Sequence, residues 1–210
     1  MFRVNTQIKK EAFNKPPFFI SYFITDPIEY GSNSEEFEKN LRATLSHHTI
    51  DIICFRDKTS PNKKKLAKLC LDISREFNIK KVLINSNIEL CKELGFDGIH
   101  FNSSQFEILN QINTKDLFTI ISCHTEKEVQ KAKQFKIDAI TYSPIFFKEF
   151  KGKPKGIENL QKIVFTYQEK NFDIIALGGI ITTSHIEEIM KTKARGFASI
   201  RYFKREIDTN

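Results

Sequence analysis

From Phe18 onward the chain repeats one unit about eight times within 210 residues: a short apolar run, then a stretch with apolar residues at helical spacing. Short runs that are apolar on both faces suit a parallel sheet covered by helices, because each strand is then buried on both sides. Eight such units in so short a chain fit a closed barrel better than an open sheet. No Gly-x-Gly-x-x-Gly follows the first run, which argues against a dinucleotide-binding sheet. The expected fold is therefore α/β: a single-domain (β/α)8 TIM barrel over residues 1–210, with 1–17 as an N-terminal extension. Only seven residues follow Phe203, so the last helix is expected to be short or missing, and Met1 to Phe13 could help cover that end.

The runs read as strands are Phe18 to Ile24, Ile50 to Phe55, Val82 to Ile84, Gly98 to Phe101, Phe118 to Ser122, Ala139 to Ile145, Ile174 to Leu177 and Phe197 to Ile200. Between them, Phe37, Leu41 and Leu45 mark the first helix, and Leu66, Leu69, Cys70 and Ile73 the second, which Lys63-Lys64-Lys65 opens. A third helix ends at Gly95, and a fourth covers Phe106 to Ile112. Thr125 with Glu128 forms a capping-box pattern at the start of the fifth.

Composition excludes several classes. No apolar run reaches transmembrane length, and Met1 to Lys15 lacks a signal-peptide core, so a cytoplasmic protein with no membrane partner is expected. The four cysteines show no C-x-x-C pairing and read as free, buried thiols. The net charge of +7 is spread over scattered lysines, with no zinc finger, RNP sequence or basic helix, so the partner is read as an anionic small molecule and not nucleic acid.

Chemistry in such a barrel sits at the carboxyl ends of the strands. There the second strand offers Arg56 and Lys58, the third Asn85, and the fifth Ser122 and His124. The loop after the sixth offers Lys148, Lys151, Lys153 and Lys155, the seventh ends in Gly178-Gly179, and the eighth in Ser199 with Arg201. Cations on several loops suit a phosphorylated ligand, and bare glycine backbone after strand seven lets amide N–H groups approach phosphate oxygens. His124 is the side chain suited to move protons near neutral pH. His100 reads as a core residue, and His47, His48 and His185 as surface residues.

From Tyr22 to about Tyr202 the chain resembles the thiamine phosphate synthase and TenI superfamily. The resemblance rests on an ordered set: Tyr22 to Asp26, Phe55 to Lys58, Leu83 to Asn85, Leu94 to His100, Ser122 to Thr125, Pro144 to Phe146 and Ala176 to Ile180. It implies a TIM barrel, commonly a homodimer, acting on a phosphorylated thiazole or pyrimidine. In the synthase, an aminopyrimidine pyrophosphate loses pyrophosphate and the thiazole phosphate nitrogen takes the resulting cation. By that resemblance Arg56, Lys58 and Asn85 lie on the pyrophosphate side, with Ser122 near the pyrimidine and leaving group. Lys151 is then the loop lysine, and Gly178, Gly179 and Ser199 form the thiazole phosphate grip.

The chain departs from the synthase pattern at its acids. Ser86 stands where an Asp follows the strand-three Asn, and Asn102-Ser103-Ser104-Gln105 replaces the second acidic position, while Glu107 nearby would face another way. Those acids hold Mg²⁺, and Ser and Gln are poor ligands for a hard divalent ion. Cys54 replaces a Gln, Lys148 and Phe150 replace loop threonines, and Arg201 is unexpected. The implied reading is a TenI-type thiazole tautomerase without cofactor, in which His124 transfers a proton on a thiazole carboxylate phosphate. The alternatives are the synthase, with Mg²⁺, and a non-catalytic barrel that binds a phosphorylated ligand.

Overall fold

The computed structural model describes residues 16–149 and 152–205. Eight strands form the barrel: β1 (Ile20–Ile24), β2 (Ile52–Phe55), β3 (Lys81–Asn85), β4 (Gly98–Phe101), β5 (Phe118–Cys123), β6 (Ala139–Tyr142), β7 (Asp173–Leu177) and β8 (Gly196–Ser199). Each pairs in parallel with its chain neighbour, and β8 closes on β1, with Tyr22 opposite Ala198 on one side and Ile52 on the other. The expected barrel is the observed one.

Because side chains alternate along a strand, one set points inside the barrel and the other out toward the helices. The inner set includes Tyr22, Ile24, Ile52, Cys54, Leu83, Ile120 and Ile175, kept thin by Ala139 and Ala198. The outer set, with Phe23, Ile53, Ile99, Ile121, Ile140 and Phe197, packs under the helices as a second, larger cluster. All four cysteines are free and buried.

The helices are α1 (Pro27–Tyr30), α2 (Ser34–His47), α3 (Lys63–Glu76), α4 (Ile88–Leu94), α5 (Glu126–Ala132), α6 (Gly156–Tyr167), α7 (Thr183–Lys191) and the short α8 (Tyr202–Arg205). The fourth βα unit departs from expectation. In place of a helix over Phe106 to Ile112 it carries a 3₁₀ helix at Ser103–Asn110, opened by a capping box between Asn102 and Gln105. The sixth strand stops at Tyr142, short of the expected Ile145, because Ser143 and Pro144 follow and Pro144 has no N–H to extend the ladder. The helix α1 was not expected, and the proposed cover from Met1 to Phe13 lies outside the described residues. No helix among the described residues is long and apolar enough to cross a membrane.

One polar group fills the upper interior. His100, 3% exposed, sets Nδ1 2.8 Å from the Tyr22 hydroxyl and Nε2 3.0 Å from Ser122 Oγ and 3.3 Å from Thr141 Oγ1. Burial, helped by the charge of Arg56, lowers its pKa to about 3. His48 departs from its expected surface role. It is half-buried, with its ring 5.3 Å from that of Phe203 and edge-on to it, and burial lowers its pKa to about 4.

Two predictions follow from this packing. Both imidazoles have folded pKa values below the ordinary 6.5, so the unfolded chain takes up these protons first as pH falls. The stability they confer as neutral groups is complete above about pH 6.5 and is lost as pH falls from there toward the folded values. Thermal unfolding followed from about pH 7.5 to about pH 5 should show Tm declining through the lower half of that window. A flat Tm would overturn the neutral, buried assignment. At the start of α5, the Thr125 side chain accepts from the Glu128 N–H, and the Glu128 side chain accepts from the Thr125 N–H. Thr125→Ala should remove about 1 kcal/mol and lower Tm by about 2–4 °C, measured by calorimetry.

Candidate functional site

Continuing the alternation past the strand ends decides which side chains stand over the barrel mouth: Asp26 after β1, Arg56 and Lys58 after β2, Asn85 on β3, Ser122 on β5 and His124 just after it, and Ser143 after β6. Arg56 is anchored twice. Its guanidinium is ion-paired with Asp26, and its backbone N–H donates to Thr25 Oγ1 at 2.9 Å. An arginine has five N–H donors, so the pair orients the group and leaves donors for a ligand.

Beyond β2–β4 lies a cavity of about 610 Å³, lined by Lys58, Lys63, Asn85, Ser86, Asn102 and Gln105 among others. Asn85 donates through Nδ2 to the His100 carbonyl at 2.9 Å. The positions at which the resemblance implies acids form a neutral knot. Asn102 Nδ2 donates to Ser86 Oγ, Gln105 Nε2 donates to the Ser86 carbonyl, and Gln105 Oε1 accepts from the Asn102 N–H, each at 3.1 Å. Asp57 also lines the cavity, but its Oδ1 accepts from the Thr59 and Ser60 amides, and those bonds with the charge of Lys63 hold its pKa down against burial. Mg²⁺ seeks octahedral, largely anionic oxygen coordination; the knot offers it only neutral oxygens, and the carboxylates lining the cavity are Asp57 and Glu89. No cluster of three or more His, Cys, Asp or Glu suited to a metal occurs among the described residues. Glu107 points outward and pairs with Lys131 at 2.6 Å.

At β5, Ser122 Oγ sits on His100, and His124 reaches sideways to β6. The His124 Nδ1 is 3.2 Å from the Ser143 carbonyl and 3.1 Å from its hydroxyl. The carbonyl only accepts, whereas the hydroxyl can donate or accept, so Ser143 holds Nδ1 in place whichever ring nitrogen carries the proton. His124 does not cap α5, since Thr125 does; its backbone N–H instead donates to Glu128 Oε2 at 2.6 Å.

A second recess of about 220 Å³ lies beyond β7 and β8, lined by Gly178, Gly179, Ile180, Ser199 and Arg201, with Asp26, Glu29 and Lys148 at its rim. Gly178 and Gly179 have φ of +97° and +72°, and a Cβ on Gly179 would lie 2.6 Å from the Phe147 carbonyl oxygen. Only glycine fits there. The Gly179 and Ile180 amides find no acceptor among the described residues, an arrangement that suits an anion. The Ser199 hydroxyl is already engaged: it donates to the Ile180 carbonyl at 2.8 Å and accepts from the Tyr202 N–H at 3.2 Å. Its part is to hold the glycine loop.

Lys151 lies outside the described residues. Lys155 places Nζ 5.4 Å from the centre of the Tyr142 ring. His185 is not a free surface residue, because its ring stacks on Phe146 at 4.0 Å and 13°. Ser143, Asp26 and the Asn102–Gln105 box were not singled out as site residues from sequence. Asp26, two residues past β1, and Ser143, one past β6, could have been found by extending the inward alternation, and the third by its Asn-x-x-Gln spacing.

The thiamine monophosphate synthase family model matches residues 21–203. A thiamine-phosphate synthase of Caldicellulosiruptor saccharolyticus is 26% identical over 177 residues, 79% of this chain and 78% of that protein. One from Staphylococcus epidermidis is 26% identical over 197 residues, 89% and 90% of the two chains. The thiamine phosphate pyrophosphorylase of Pyrococcus furiosus superposes with a TM-score of 0.70 at 20% identity, over 90% of this chain and 95% of that one, which shows the shared fold. With the model spanning all eight strands, the chain belongs to the thiamine monophosphate synthase family, a family of thiamine biosynthesis.

Proposed function

We propose that this chain joins a pyrimidine pyrophosphate to a thiazole phosphate, forming thiamine phosphate and releasing pyrophosphate. The observation that carries this is the pair of recesses. In a closed eight-stranded barrel β3 and β7 lie across the mouth from each other, so the cavity beyond β2–β4 and the recess beyond β7–β8 lie on opposite sides of the mouth, with Ser122 and His124 at the β5 end between those sides. A reaction that brings two phosphorylated molecules together needs two such places. The relatives named thiamine-phosphate synthase support the same reading, ahead of the tautomerase that the missing acids suggested from sequence.

In this reading Arg56, Lys58 and Asn85 bind the pyrophosphate, and the Gly179 and Ile180 amides with Arg201 bind the thiazole phosphate. The bond from the pyrimidine methylene carbon to pyrophosphate oxygen breaks, and oxygen keeps the electron pair. The thiazole nitrogen lone pair then forms the new C–N bond to the methylene cation. Arg56 and Lys58 stabilise the charge that develops on the leaving group. The neutral knot at Ser86, Asn102 and Gln105 supports a reaction run without a metal cofactor.

A second reading stands on His124. An imidazole held in place at Nδ1 by Ser143 is what the tautomerase needs to take and return a proton. The two are separated by incubating the protein with pyrimidine pyrophosphate and thiazole phosphate, and separately with the thiazole carboxylate tautomer, each in EDTA and in Mg²⁺. Thiamine phosphate and pyrophosphate are expected in EDTA, with no gain from Mg²⁺. His124→Gln should keep most of this turnover, whereas a tautomerase would lose about 10²–10⁴ in rate. Tautomerisation without joining would overturn the proposal, product only with Mg²⁺ would overturn its metal-free part, and binding without turnover would favour the non-catalytic barrel.

The thiazole phosphate grip has its own variant. Gly179→Val is unsuitable, since its side chain would strike the Phe146–Phe147 backbone and disturb folding. Arg201→Ala removes a charge-assisted contact and should raise the KM for thiazole phosphate about tenfold with little change in Tm.

A further inference from the structure

We infer that His185 is a positioning residue that holds the glycine loop in its anion-binding shape. This rests on the reading of Gly179 and Ile180 as a phosphate grip and adds the residue that sets the grip's geometry. Three segments meet at His185. Its Nδ1 accepts the Ile181 N–H at 3.4 Å, its ring stacks on Phe146 at 4.0 Å, and its backbone N–H donates to Thr182 Oγ1, the N-cap of α7, at 3.3 Å. The imidazole thus fastens the loop after β7, the loop after β6 and the first turn of α7 to one another.

Among the described residues the hydrogen bonds that otherwise join the loops after β6 and β7 run between backbone groups. The Ile145 N–H donates to the Leu177 carbonyl and the Phe146 N–H to the Gly178 carbonyl, both at 3.0 Å, which carries pairing past the strand ends. Gly179 lies against the Phe146 and Phe147 carbonyls at a distance that excludes a Cβ. A shift of Phe146 therefore moves Gly179. The Ser199 hydroxyl holds the same loop from the β8 side by accepting nothing from it and donating to the Ile180 carbonyl. Between these two fastenings the Gly179 and Ile180 amides stay turned away from internal acceptors. His185 also fixes the fate of the next amide: by taking the Ile181 N–H it limits the grip to two consecutive donors. The imidazole itself touches no anion; it acts through the loop.

The test is titration of the full-length protein with thiazole phosphate by calorimetry, alongside Tm and steady-state kinetics. His185→Ala removes both the stack and the acceptor and should weaken binding about tenfold, raising KM and leaving kcat nearly unchanged. His185→Phe keeps the stack and should recover most of the affinity if the stack dominates. His185→Asn offers an acceptor without the stack and should recover most of it if the Ile181 bond dominates. Recovery by either variant upholds the positioning role and tells which contact carries it. A His185→Ala protein that melts lower but binds thiazole phosphate like the wild type would show a structural role only and overturn the inference. Wild-type protein that fails to bind thiazole phosphate would instead sink the phosphate-grip reading, and this inference with it.

Discussion

A buried, neutral imidazole organises the upper half of the barrel. Eight parallel strands closed on themselves leave room inside for only a few large side chains, and here Tyr22 takes that room in a cluster that includes the small Ala139 and Ala198. Its hydroxyl cannot be left unpaired in so dry a place without a penalty of about 1–3 kcal/mol. His100 answers it at Nδ1 and carries the hydrogen-bonded chain up to Ser122 and Thr141 through Nε2. When Tyr22 donates to Nδ1, Nε2–H donates to Ser122. Arg56 stands close enough to lower the pKa of His100 further, so the cation above reinforces the neutral state that burial imposes on the ring below.

The barrel was legible in the sequence because its signal is repeated. Each strand is apolar on both faces, and eight repeats overwhelm an error in any one boundary. Where local chemistry competed, the reading slipped. The 3₁₀ helix at Ser103–Asn110 carries apolar Phe106 and Leu109 at helical spacing, yet its start is fixed by the Asn102–Gln105 box, which periodicity does not see. At the site, the strand-end residues were legible because position along a strand decides direction. Bonding partners were not: the link from His124 to Ser143, or from His185 to Phe146, joins segments 19 and 39 residues apart. His48 and His185 were misread as surface for the same reason, since helix ends look exposed until another element packs on them.

Charge is arranged unevenly around the mouth. On the β2–β4 side Lys58 and Lys63 stand beside a knot of neutral amides and a hydroxyl, where a metal-dependent site would have carboxylates. Three lysines open α3, with no acid in its first turn and no side-chain cap, against the usual preference of a helix dipole for negative charge there. The strain is eased by Asp57, whose carboxylate feels Lys63, and by Glu93, which pairs with Lys64. Asp57 and Glu93 thus answer protein cations, which suits a site that receives negative charge from the ligand.

On the opposite side the anion site is built from backbone, and backbone needs scaffolding. An amide aimed at a phosphate is useful only if its carbonyl neighbours and loop partners keep it from folding back onto an internal acceptor. Here the carbonyls are taken: Phe146 N–H on Gly178, Ser199 hydroxyl on Ile180. The α5 start follows the same economy, since the Glu128 carboxylate that completes the capping box also accepts the His124 N–H and so fixes the backbone from which the imidazole reaches Ser143. In both places a contact that stabilises a helix end also sets the aim of a group over the mouth. Substitutions there are expected to move stability and ligand handling together, whereas Arg201, which only lines the recess, can be removed with the fold left intact.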